Sequence, residues 1–111
     1  MWKRAGAELS GTALMVAVGC GSIAYGASLP IICLSFAVAV TTAILIFGPI
    51  SGAHINPAVT IPMMITKKIS VGDGLGYIIF QLIGAVVAAF SLKAILPELG
   101  AKVNFVTQGG P

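Results

Sequence analysis

Apolar residues run almost unbroken through three stretches of this chain, residues 5–27, 31–47 and 75–96. Each is close to the roughly 20 residues that a helix needs to cross a hydrocarbon core. Small residues recur inside them at every fourth position: Ala13, Ala17 and Gly21 in the first, Ala39 and Ala43 in the second, Gly84 and Ala88 in the third. Residues four apart share a helix face, and a face of small side chains lets a neighbouring backbone come close. Ser28, Leu29 and Pro30 leave room only for a short turn, so the second span runs antiparallel to the first. Gly48 and Pro49 end the second span, a Gly72-Asp73-Gly74 turn leads into the third, and Pro97 closes it.

A fourth apolar stretch, between Pro49 and Lys67, is too short to cross and has the length of a re-entrant segment. Residues 51–55 contain a glycine and read as loop. Asn56 followed by Pro57 reads as a helix start, because Asn caps free amides and Pro suits the first helical position. The pattern therefore predicts a loop and half-helix over about 51–66, with Lys67 and Lys68 marking the return to water. The whole is an all-α integral membrane fold in one membrane domain, residues 1–97, of three spans and one half-helix. Residues 98–111 form an exposed tail or a truncated connecting loop.

Composition agrees. The chain is 58% apolar and 8% charged with a mean hydropathy of +1.06, where a soluble domain carries about 25% charged residues. The net charge of +3 comes from Lys3, Arg4, Lys67, Lys68, Lys93 and Lys102, scattered singly or in pairs rather than in a stripe. That excludes a nucleic-acid face and leaves topology signals. Lys3, Arg4, Lys67 and Lys68 collect at one membrane face and Lys93 and Lys102 at the other. The bias puts the N-terminus in the cytoplasm of a plasma (inner) membrane and the C-terminus on the opposite side. Lys3 and Arg4 with Ala24-Tyr25-Gly26 echo a cleavable leader, but Glu8 and Ser10 interrupt the run and its length exceeds the usual apolar core, so the segment is kept. Cys20 and Cys33 read as small hydrophobes.

Candidate enzyme chemistry is thin. Gly19-Cys20-Gly21 and Gly72-Asp73-Gly74-Leu75-Gly76 echo phosphate-binding patterns but follow no strand. No second histidine joins His54 for a metal, and no nucleophile has a candidate base. No enzyme, cofactor or metal is expected.

The physics of residues 51–66 points elsewhere. Lipid cannot hydrogen-bond to open backbone, so a loop at membrane depth lies buried in protein or lines a wet cavity. In the second case the Gly52, Ala53 and His54 carbonyls form a ladder of acceptors. The half-helix aims the positive end of its dipole at the midplane, which repels cations and protons but not a neutral molecule. The competing reading is an interfacial amphipathic hairpin without a pore.

Residues 51–60, Ser-Gly-Ala-His-Ile-Asn-Pro-Ala-Val-Thr, resemble the first Asn-Pro-Ala loop of the aquaporin (major intrinsic protein) family. The similarity extends to Ala7-Glu8-Leu9-Ser10-Gly11-Thr12 and to Gln81-Leu82-Ile83-Gly84-Ala85, in the order of the family's first repeat. The resemblance implies that Asn56 is the midplane donor to the permeant molecule, with Pro57 and Ala58 completing the helix start. It also implies that His54 and the Gly52 and Ala53 carbonyls line half of a pore, and that Phe36 is one wall of a narrow aromatic filter. A Phe there is more similar to water-selective members than to glycerol facilitators.

Glu8 matches a buried acid that accepts hydrogen bonds from the re-entrant backbone; its alternative is an interfacial carboxylate paired with Arg4. Gln81 is either a bridge to the loop or interhelical glue, and His54 alone could be a satisfied buried histidine. Pro62 stands where the family usually has glycine, and predicts a bend late in the half-helix. Only one Asn-Pro-Ala is present, so the opposing half-helix is not in these 111 residues.

The expected function is half of a passive channel for water and small neutral solutes such as glycerol. Its partners are the lipid bilayer, the permeant and a complementary second half, which is a lost C-terminal part, a separate chain or an inverted copy, all within an oligomer. The alternatives are a non-conducting scaffold and, lowest, a fragment of an ion-coupled transporter.

Overall fold

The computed structural model describes residues 1–99; Lys102 and the stretch 100–111 lie outside the described residues. Four α-helices follow one another: α1 (Trp2–Ala24), α2 (Leu29–Ser51), α3 (Pro57–Ile65) and α4 (Val71–Ile95). A 3-10 turn over Leu96–Leu99 holds Pro97. Three of the helices, α1, α2 and α4, are long and apolar enough to cross a membrane, with mean hydropathies of 1.4, 2.5 and 2.1 over their best windows. The 9-residue α3 rises about 13 Å at 1.5 Å per residue, less than half of a hydrocarbon core of about 30 Å.

Element ends differ from the sequence pattern in instructive places. The second helix runs on through Gly48 and Pro49 to Ser51 instead of stopping at Phe47. Proline removes one helical donor, but the turn beyond it is pinned. Ser51 is buried and tied to two other helices, and Gly52, at φ +86°, closes the turn by donating to the Gly48 carbonyl at 2.8 Å. The Gly72-Asp73-Gly74 run is helical rather than a turn. Ser70 caps it by accepting the Asp73 amide at 3.1 Å, and Asp73 sits favourably in the first turn. Gly74 belongs there for packing, since a β-carbon would meet the Met64 side chain of α3. The first helix starts at Trp2 and ends at Ala24, where Tyr25 and Gly26 (φ +72°) turn the chain toward Ser28, the cap of α2.

Packing puts α1 in the middle, flanked by α2 and α4, with α3 resting on α4. Ala39, Ala43, Gly84 and Ala88 lie in the buried seams, as their spacing predicts. On α1 the close approaches are made by Gly11 and Gly19, whereas Ala13 and Ala17 are only half-buried. A β-carbon on Gly11 would stand 2.6 Å from Ile55 Cγ2, and one on Gly19 would enter the Phe36 ring. A β-carbon on Gly84 would strike the Leu9 carbonyl, so α1 and α4 touch backbone to backbone there.

The interior is inverted relative to a soluble domain. Its largest fully buried side chains are Tyr77, Gln81, Glu8 and Thr60, while Leu29, Leu45 and Ile79 face outward. Apolar outside and hydrogen-bonded inside is the arrangement lipid selects.

Candidate functional site

The polar interior gathers on the segment between α2 and α3. Its backbone is unusual: Gly52, Ala53 and Ile55 have φ of +86°, +50° and +49°. Left-handed backbone is rare for any residue with a β-carbon, and rarest for a β-branched one such as Ile55. Something must hold it.

The holder is Glu8 of α1, which is 0% exposed. Its Oε1 accepts from Ser51 Oγ at 2.7 Å and from the His54 amide at 3.0 Å. Its Oε2 accepts from the Ile55 amide at 2.6 Å and from Gln81 Nε2 at 2.7 Å. Four donors on two oxygens meet the demand of a carboxylate buried in an apolar setting. Arg4 pairs with Asp73 at 2.8 Å, and its guanidinium stands 5.9 Å from the Tyr77 ring, so the Glu8–Arg4 alternative is set aside.

Other groups fasten the same segment from both sides. Thr12 of α1 donates to the Ile55 carbonyl at 3.0 Å, and Tyr77 of α4 donates to the Ser51 carbonyl at 2.6 Å. Ser51 Oγ also accepts the Ala53 amide at 3.0 Å. Gln81 of α4 bridges Glu8 of α1 and Thr60 of α3, donating to Thr60 Oγ1 at 3.0 Å, and reaches the loop only through Glu8. The His54 ring lies edge-on to Tyr77, with centroids 5.0 Å apart, and its Nδ1 is 3.0 Å from Thr60 Oγ1.

Counting carbonyls along the segment separates held from free. Ser51 and Ile55 accept from Tyr77 and Thr12, and Asn56 accepts from the amides of Val59 and Thr60. Between them, the Gly52, Ala53 and His54 carbonyls accept no hydrogen bond among the described residues. Asn56 caps α3, its Oδ1 accepting the Ala58 amide at 2.9 Å. With Oδ1 so engaged, the exposed side chain presents its Nδ2 donor outward, and Nδ2 has no partner among the described residues. Pro57 is half-buried at the first helical position, and Ala58 is exposed beside it. Pro62 lies within α3, where it leaves the Ala58 carbonyl without the usual helical donor.

Glu8, His54, Gln81 and the Gly52–Asn56 backbone thus meet in one place. Phe36 does not join them. Half-buried, its ring packs on Gly19, about 16 Å along α1 from Glu8. Thr60, Thr12, Tyr77 and the Ser51 hydroxyl were not singled out from the sequence as supports. A signal existed: Thr12 follows Glu8 by four residues, and Gln81 follows Tyr77 by four, so each pair lies on one face of an otherwise apolar helix.

Comparison with known proteins places this geometry. A family model described as Major intrinsic protein matches residues 1–109. The glycerol uptake facilitator protein-like 6 of Lactiplantibacillus plantarum is 42% identical over 104 residues, covering 92% of this chain and 48% of the relative. Aquaporin-4 of Mus musculus is 42% identical over 104 residues, 86% of this chain and 32% of the relative. Aquaporin Z of Photorhabdus laumondii is 38% identical over 102 residues, 86% and 44% respectively. The chain spans about a third to a half of the length of these relatives.

Proposed function

We start from the fact that this chain belongs to the major intrinsic protein family, and we propose that it supplies one half of a passive transmembrane channel for water and small neutral solutes. The observation that carries the reading is the clamp on residues 51–55. Glu8 holds the His54 and Ile55 amides, Thr12 the Ile55 carbonyl and Tyr77 the Ser51 carbonyl, whereas the Gly52, Ala53 and His54 carbonyls and Asn56 Nδ2 have no partner among the described residues. Unpartnered carbonyls at membrane depth need water. In this reading they form the acceptor ladder of the pore, and His54, Pro57 and Ala58 share its wall. Asn56 Nδ2 is the donor at the midplane, where the N-terminus of α3 opposes cations and hopping protons.

Phe36 forms one wall of a narrow aromatic filter, about three helical turns from the loop, and its phenyl ring favours water over glycerol. A matching half, from a C-terminal part, a separate chain or an inverted copy, closes the pore, and such pores gather as oligomers. The chain lies in a plasma (inner) membrane with its N-terminus in the cytoplasm. The rival reading is a non-conducting scaffold, in which protein rather than water covers the three carbonyls.

Osmotic shrinkage of proteoliposomes separates the two. The chain is reconstituted alone and together with the second half of a family member. Conduction predicts shrinkage above the lipid rate in one of these preparations, lost on Asn56→Leu. Lipid-only rates in both leave the scaffold.

A further inference from the structure

Beside the loop, four side chains stand in a line that begins at a charge and ends at a ring. Glu8 Oε2 accepts from Gln81 Nε2 at 2.7 Å, Gln81 Nε2 also donates to Thr60 Oγ1 at 3.0 Å, and Thr60 Oγ1 lies 3.0 Å from His54 Nδ1. All four residues are more than nine-tenths buried, with exposures of 0%, 1%, 0% and 7%. An amide nitrogen only donates, so the first two links have a fixed direction. Glu8 dictates which end of the Gln81 amide faces it, since a reversed amide would set carbonyl oxygen against carboxylate. That orientation leaves Gln81 Oε1 buried with no partner, a cost that only the charge explains.

Thr60 then has one proton and two places to put it. The Asn56 carbonyl is 3.4 Å away and already takes the amides of Val59 and Thr60 at 3.0 and 3.1 Å. His54 Nδ1 is nearer, at 3.0 Å. A hydroxyl that accepts one hydrogen bond donates the next more strongly, so a chain running in one direction reinforces itself. We infer that Glu8, through Gln81 and Thr60, locks His54 in the tautomer that carries its proton on Nε2, with Gln81 and Thr60 acting as positioning residues for that ring.

The free nitrogen is well placed to use the proton. Nε2 is not among the buried unpartnered atoms, so the small exposed part of His54 includes it. It opens beside Gly52, where a β-carbon would stand 3.7 Å from it. The segment then offers three carbonyl acceptors flanked by two N–H donors, His54 Nε2 and Asn56 Nδ2. A water passing Gly52 must turn its oxygen to the ring and its hydrogens to the carbonyls. This consequence rests on the channel reading; the tautomer itself does not.

His54 is the single histidine of the chain, so 15N-histidine labelling of the full chain in lipid nanodiscs gives one imidazole to read. In the 15N spectrum of the neutral ring, Nε2 is expected to be protonated and Nδ1 not. Thr60→Val removes the hydroxyl at nearly constant shape and should abolish the single-tautomer signal, and Thr60→Ser should restore it. A ring protonated at Nδ1 in the unaltered chain overturns the inference, as does a Thr60→Val spectrum identical to it. The first of these needs no variant to fold. Osmotic flux of the same chain in proteoliposomes, alone and with the second half, keeps the two proposals apart. Lipid-only flux with Nε2 protonated sinks the channel and leaves the relay; conduction with Nδ1 protonated does the reverse.

Discussion

Glu8→Gln changes one atom of the side chain and should undo most of the clamp. Each carboxylate oxygen accepts two hydrogen bonds, Oε1 from Ser51 Oγ and the His54 amide, Oε2 from the Ile55 amide and Gln81 Nε2. In the variant one oxygen becomes an NH2 group that accepts nothing. Whichever way the new amide turns, it sets that group against two donors, and one of the two is a loop amide. A hydrogen bond to a charged group contributes about 1.5–3 kcal/mol, so losing two weakens the closed loop by about 3–6 kcal/mol. At about 1.4 kcal/mol per decade, local opening becomes roughly two to four orders of magnitude more frequent. Hydrogen–deuterium exchange in nanodiscs reads this directly at the His54 and Ile55 amides, with amides in the middle of α4 as the internal reference. Acceleration confined to the loop is the expected result. A change of less than about tenfold, under about 1.4 kcal/mol, refutes the idea that this carboxylate holds the segment in place.

Two further outcomes follow from the same contacts. Tyr77→Phe keeps the ring but strands the buried Ser51 carbonyl, and should cost about 1–3 kcal/mol in reversible unfolding from detergent micelles. Gly84→Ala and Gly72→Ala make a paired test: the first drives a β-carbon into the Leu9 carbonyl and should destabilise by about 1–3 kcal/mol, whereas the second meets nothing within 4 Å and should stabilise by about 0.5–1 kcal/mol through helix propensity, both read as shifts in the same unfolding midpoint.

Much of the architecture is readable from residue pattern because lipid imposes simple rules. Long apolar runs must be helices, and a stretch too short to cross must turn back, so α1, α2, α4 and the Asn56-Pro57 start of α3 follow from length and capping alone. Helix ends were harder. Pro49 and the Gly72-Asp73-Gly74 run are local breakers, yet tertiary contacts at Ser51 and Gly74 extend α2 and α4 through them. Glu8 stands out in sequence because a carboxylate in an apolar run needs partners, whereas Thr12, Thr60 and Tyr77 do not, since a hydroxyl in a membrane helix can satisfy itself on its own backbone, as Ser35 and Thr42 do here. Which hydroxyl turns inward is decided by what faces it across a seam, and that information is not local.

Ala53 and Ile55, in their left-handed conformations, carry a consequence for the order in which the molecule is made. Each costs about 1–3 kcal/mol when nothing constrains it, and the constraint comes from α1 on one side and α4 on the other. Residues 51–56 leave the ribosome after α1 and α2 but before α4, so Glu8 and Thr12 precede them whereas Tyr77 and Gln81 do not yet exist when they enter the bilayer. Docking of α4 on Leu9 then brings Tyr77 to the Ser51 carbonyl and Gln81 to Glu8. A nascent chain halted before Val71 therefore carries this stretch with its partners on α1 but without those on α4.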